Sequence, residues 1–177
     1  SGINSADIKG LACSAIGPCM LPVDDKGEPL MNGVLYGVDT RSHEEIDILN
    51  NIIGENEVLK FCGNALTSQS VGPKILWLKR NKPEIFQKTS KILTSTSFLV
   101  HKLTEKFVID HYTAANFSPL YNINTQNWSE ELTKDIISLE CLPELKWSTE
   151  IIGNITKKAA SETGLPNGIP VTTGTID

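Results

Sequence analysis

Gly174-Thr175-Ile176-Asp177 sets a carboxylate at the tip of an extended, β-branched run. A carboxylate so placed has two uses. It can cap a following helix, or it can accept a proton from an alcohol held at hydrogen-bond distance. The residues alone leave both open. Lys74 follows Gly72-Pro73 at a helix start, with Gln69 just before it. A lysine there is either a solvated side chain or a ligand donor. Asp39 and Arg41, two apart, read first as a helix cap and its ion-pair partner. Gly17, in Ala15-Ile16-Gly17-Pro18, reads as a turn that lets another group approach the backbone closely.

Other chemistries find no residues. There is no G-x-x-x-x-G-K-[ST] loop and no G-x-G-x-x-G. There is no G-x-S-x-G elbow, and His43, His101 and His111 make no triad. Cys13, Cys19, Cys62 and Cys141 lack C-x-x-C spacing and have no histidine near them in sequence, so no metal site is expected. The thiols read as reduced, which suggests a cytoplasmic protein. Net charge is −5, with lysines spread along helical segments, so neither nucleic acid nor an anionic membrane is expected as a partner. With 177 residues, 40% of them hydrophobic, the chain can bury the core of one domain.

The elements that must hold these residues alternate in kind. Residues 8–15 read as a largely buried strand. Residues 19–30 read as a strand, an Asp-Asp-Lys-Gly turn and a return, and 33–39 as a third extended run. Ile46, Leu49, Ile52 and Ile53 then recur at helical spacing. Ser42 with Glu45 offers a capping box and Gly54 a stop. Pro73 and Pro83 each suit a first helical turn, the second opening a helix through 83–93. Ser129 suits an N-cap, and Thr156 to Thr163 a last helix before Gly164. Residues 169–177 return to β. This is α/β with an unfinished sheet edge, and an unpaired edge invites a second copy, so a homodimer is possible.

Five stretches, in order, carry a resemblance. Val34-Leu35-Tyr36-Gly37-Val38-Asp39-Thr40-Arg41 is similar to a strand ending in Asp-x-Arg before a helix. Residues 70–86 resemble a helix bearing Lys and Trp, followed by Asn-x-Pro-Glu. Residues 98–115 resemble a Leu-Thr-Gly-x-x-x-x-Asp segment, with Glu105 where Gly is usual. Trp128 and Cys141-Leu142-Pro143-Glu144-Leu145 also fit, and 151–177 fits best. Together they resemble the FGGY carbohydrate kinases of xylulose, ribulose or gluconate kinase type.

That resemblance implies a ribonuclease H-like domain of the actin/hexokinase-like ATPases, with a partial mixed sheet and a large helical insertion. It implies that 1–177 is most of a sugar-side N-terminal domain, without the initial phosphate-loop strands and the C-terminal nucleotide domain. Asp177 then matches the general base, and Lys74, Gln69, Gly17 and Asp39 match positions around a sugar or polyol. ATP and Mg²⁺ are implied for the full-length enzyme, with none held tightly by this piece. Xylulose kinases usually carry Met-His-Gly where this chain has Ala15-Ile16-Gly17, so xylulose is not assigned. A non-catalytic, kinase-like carbohydrate-binding module is the alternative, and an unrelated α/β domain a third.

Overall fold

In the computed structural model, residue 2 and residues 4–177 are described. Strand β1 (Ser14–Ala15) and β2 (Leu21–Val23) come first. Four helices follow: α1 (His43–Ile53), α2 (Glu55–Cys62), α3 (Val71–Asn81) and α4 (Pro83–Phe86). Then come β3 (Lys91–Leu93), α5 (Ser95–Thr104), β4 (Val108–Asp110) and α6 (His111–Ala114). Short β5 (Tyr121–Asn122), β6 (Asn127–Trp128), α7 (Glu130–Thr133) and β7 (Glu144–Lys146) lead to the last segment. That segment holds β8 (Ile151–Asn154), α8 (Lys157–Thr163), β9 (Pro170–Thr172) and β10 (Thr175–Ile176).

The strands pair in twos. β1 with β10 and β4 with β7 are parallel, while β2 with β3, β5 with β6 and β8 with β9 are antiparallel. Both senses expected of a mixed sheet are present, but no continuous sheet forms among the described residues. Parallel neighbours need a long crossover. β1 meets β10 across nearly the whole chain, so the two ends of the sequence make one edge. Leu11 bridges to Val171 in the same direction, and the edge runs on from there.

Most buried apolar side chains form one core. Met20 and Val34 from the N-terminal segment meet Leu49, Val58, Ile75 and Leu78 from α1–α3, and Ile92, Ile109 and Phe117 complete it. A smaller cluster of Ile155, Ala159 and Val171 closes the C-terminal layer. No helix among the described residues is long and apolar enough to cross a membrane. All four cysteines are free thiols, and Cys13 is half-buried rather than a core residue.

Several local expectations hold. Gly54 and Gly164 end their helices, and Pro83 opens one. Thr156 and Ser129 accept hydrogen bonds from the first turns they cap. Others fail for stated reasons. Residues 8–15 are not a buried strand: pairing is confined to Ser14–Ala15 and the bridge at Leu11, and none of the stretch is fully buried. Residues 33–39 give one bridge, at Val34, and then turns. The helix opened by Pro83 stops at Phe86, because Ile92 and Leu93 are buried as a strand against β2. The Ser42–Glu45 capping box does not form. Glu45 instead accepts a hydrogen bond from Arg80 Nη1, and Ser42 Oγ has no partner.

Candidate functional site

The edge made by β1 and β10 fixes Asp177. Thr175 N–H donates to Cys13 O at 3.2 Å, and Asp177 N–H donates to Ala15 O at 3.0 Å. Gly174 makes the approach possible: a Cβ there would lie 2.2 Å from Cys13 O. Two neighbours brace the strand. Thr96 Oγ1, in the first turn of α5, donates to Thr175 O at 3.0 Å. Thr175 Oγ1 donates to Asp110 Oδ2 at 3.0 Å. Asp110 is 3% exposed, and it also caps α6 by accepting from Thr113 N at 3.1 Å. The backbone of Asp177 is therefore held while its side chain is exposed.

Two residues beyond Ala15 comes Gly17. A Cβ on Gly17 would stand 3.2 Å from Tyr36 Cγ, so the ring lies directly against the turn. Tyr36 belongs to the segment that holds Lys74. The Lys74 side chain is fully buried, and its Nζ donates to Leu35 O at 2.9 Å. An ammonium carries three donors. Among the described residues this is the one hydrogen bond that Lys74 makes, which leaves two N–H groups. Burial pushes the Lys74 ammonium below its ordinary range, and the Asp39 carboxylate pulls part of that back. The start of α3 is fixed from behind, where Gly72 N–H donates to Ser118 O at 3.1 Å.

Asp39 is held by Arg41, as its spacing suggested. Arg41 Nε donates to Asp39 Oδ1 at 2.8 Å, and Nη2 lies 2.7 Å from Oδ2. Those hydrogen bonds hold the Asp39 carboxyl below the usual carboxylate range, with Lys74 adding a smaller pull. The Arg41 guanidinium also lies 4.7 Å above the Trp77 ring, which ties Asp39 to the turn of α3 after Lys74. Gln69 is exposed, and its Cγ lies 3.9 Å from where a Cβ on Gly37 would sit. Ser68 Oγ donates to Gly37 O at 3.3 Å, joining the two loops. Gln69 also borders a polar cavity of 250 Å³ with Thr67, Ser70 and Asn116.

The named residues thus fall into two connected sets. Asp177 and Gly17 share the β1–β10 edge. Lys74, Asp39 and Gln69 share the turn at 35–39. The Gly17–Tyr36 contact joins the sets. Sequence reasoning missed Asp110, Thr96 and Tyr36. Asp110-His111-Tyr112-Thr113 carries a capping spacing that could have been read; the tie to Thr175 has no local signal. His101 and His111 are structural. His101 is stacked on Phe107 at 4.1 Å, and His111 Nδ1 lies 2.8 Å from the Tyr121 hydroxyl. An apolar groove of 460 Å³, lined by Ile48, Ile52, Phe61, Leu76 and Ile136 among others, contains none of the candidate residues. Among the described residues no three His, Cys, Asp or Glu side chains gather to hold a metal ion.

The model of the FGGY family of carbohydrate kinases, N-terminal domain, matches residues 1–177. The chain is similar to a xylulose kinase of Staphylococcus xylosus, at 25% identity over 95% of this chain and 35% of that one. It is 31% identical to a probable L-xylulose kinase of Haemophilus influenzae, over 100% of this chain and 37% of the relative. The crystal structure of xylulose kinase from Rhodospirillum rubrum superposes with a TM-score of 0.92 at 25% identity, over 98% of this chain and 36% of that one. The chain therefore spans about a third of the length of the relatives it matches.

Proposed function

We propose a role for a chain that belongs to the FGGY family of carbohydrate kinases: it forms the sugar-side wall, and supplies the base, of an ATP-dependent kinase that phosphorylates a sugar or polyol hydroxyl. The observation that carries the reading is the β1–β10 pair. It pins the backbone of Asp177 next to the Gly17 turn and leaves the carboxylate free in solvent.

The chemistry follows from what each group can do. The acceptor hydroxyl must stand in line with the terminal phosphate of ATP and lose its proton as the new bond forms. Asp177 accepts that proton. Lys74 offers its two spare N–H groups to hydroxyl oxygens of the sugar, and its buried stem keeps them in place. Asp39, held by Arg41, accepts from a sugar hydroxyl, and Gln69 offers one donor and one acceptor beside it. Gly17, buried against the Tyr36 ring, shapes the turn beside Asp177 along which the acceptor lies. Among the described residues no three His, Cys, Asp or Glu side chains gather to hold Mg²⁺. The nucleotide and its cation belong to parts of the longer protein outside this chain. On this reading the domain is a partial actin/hexokinase-like ATPase domain.

The test is a coupled ADP-release assay of the full-length protein over ketopentoses, aldonates and polyols, repeated with Asp177→Asn. Sugar-dependent ADP release that collapses in the variant is expected. Equal turnover by the variant would remove Asp177 from the chemistry, and no sugar-dependent release with any acceptor would remove the kinase reading itself.

A further inference from the structure

The apolar groove of 460 Å³ belongs to none of the chemistry described above. Its volume is that of a small-molecule site, about 300–1,000 Å³. Helix α1 supplies one wall, and α3 with the segment after α7 the other. Glu45, Leu49 and Ile52 recur at helical spacing, so they lie along one stripe of α1. Ile52, at 68% exposure, and half-buried Ile48, Phe61 and Leu76 keep the groove apolar along that stripe. Arg80 marks the Glu45 end: it lines the groove, and its Nη1 donates to Glu45 Oε1. Elsewhere around the rim the charges answer one another. Lys60 Nζ lies 3.6 Å from Glu57. Glu131 and Lys134 are neighbours on one helical turn. Lys79 Nζ donates to Asp135 O at 2.7 Å. At the Arg80 end two carboxylates, Glu44 and Glu45, share one guanidinium. That end keeps a negative charge in excess. Glu45 is 1% exposed, and its Oε2 has no hydrogen-bond partner.

We propose that this groove binds an amphiphilic primary amine. The apolar body of the ligand lies along the α1 stripe, and its ammonium group meets Glu44 and Glu45 beside Arg80. An ammonium brings one positive charge and three donors. It answers the excess carboxylate and offers a donor to Glu45 Oε2, whose unpaired burial is costly. An alcohol of the same length gains the same apolar burial and only a weaker, neutral hydrogen bond. A carboxylate of that length adds a second unmatched negative charge. Burial of the body sets a chain-length dependence of about fourfold in affinity per methylene. None of these residues belongs to the Asp177 site, so the groove is independent of the kinase reading.

Three probes of one chain length test this on the full-length protein by isothermal titration calorimetry at low salt: n-octylammonium, octan-1-ol and octanoate. Octylammonium should bind about tenfold tighter than octanol, with octanoate weakest. Hexylammonium, shorter by two methylenes, should bind about fifteenfold more weakly than octylammonium. Ile52→Asn, at an exposed position, should weaken all the probes, with a melting temperature equal to the parent's. Glu44→Gln, also exposed, should shrink the preference for ammonium over alcohol and leave octanol binding unchanged. Absence of binding by octylammonium overturns the proposal. So does octanoate binding as tightly as octylammonium, or binding that Ile52→Asn does not touch. An ammonium preference that Glu44→Gln does not move overturns it as well. Sedimentation supplies the remaining outcome: a dimer that Ile52→Asn dissociates would give the groove to a second copy of the chain and remove the amine site.

Discussion

Lys74 and Glu45 are both buried, at 0% and 1% exposure, and the molecule treats them differently. Glu45 faces a full opposite charge: Arg80 donates to it, and Glu44 stands 3.7 Å from the same guanidinium nitrogen. Lys74 has a carbonyl as its hydrogen-bond partner, while the nearest acid in charge terms, Asp39, is already occupied by Arg41. Burying an ion without a dedicated partner costs more than burying a matched pair. Glu45 settles that cost on one oxygen, through Arg80, while its Oε2 stays buried without a hydrogen-bond partner. Lys74 keeps two N–H groups unpaired among the described residues, which is the difference the following variants probe.

The largest effect should come from the exposed carboxylate at the end of the β1–β10 edge. Asp177→Asn removes the proton acceptor, and kcat of the full-length protein should fall by about 10² to 10⁴ with melting unchanged.

Lys74→Met comes next and separates the two kinds of buried charge. Activity should fall by about tenfold to a hundredfold, the worth of a charged hydrogen bond to the acceptor. Stability at pH 7 should hold or rise, because an apolar chain of similar volume avoids the burial cost. The pH dependence has a definite sign. Burial lowers the folded Lys74 value below the unfolded one, so between them the unfolded chain binds more protons. Stability should therefore rise with pH through that window, up to about 10.4, and Lys74→Met should flatten the rise. Equal activity in the variant would place Lys74 with the scaffold.

Arg80→Ala should do the reverse. It leaves the Glu45 carboxylate buried without its partner and should cost about 2 kcal/mol of stability by thermal melting, with KM for the acceptor unchanged. A raised KM would tie the helical region to the site.

The smallest effect is expected at Glu105, which sits at φ +61° where α5 ends. Glu105→Gly should stabilise by about 0.5–1 kcal/mol, since glycine reaches that conformation without strain.

The two regions also differed in how far the sequence revealed them. In the helical region, caps and stops act within four residues, so Gly54, Ser129, Thr156 and Gly164 were readable. Glu45 was misread because its partner lies 35 residues away, and a distant guanidinium outcompeted the local backbone N–H. The stretch after Pro83 looked helical because Ile92 and Leu93 are apolar in either setting; pairing with β2 decided it. The β1–β10 edge has two residues per strand, too few for any period to show. Asp177 and Gly17 became neighbours on paper only through resemblance. The contacts of Tyr36 with Gly17 and of Asp110 with Thr175 are ones that no spacing announces.

Gly174 sets a boundary on how this edge can be redesigned. Any β-carbon there would collide with the Cys13 carbonyl, and the residue adopts φ +71°. Saturation libraries should return glycine alone at 174 and a broad spectrum at the solvent-facing positions 16 and 38. Tolerance to change is thus least at the residue that lets β10 approach the Cys13 carbonyl. The approach of the two strands, and with it the direction in which the backbone of Asp177 leaves the edge, therefore rests on the absence of one methyl group.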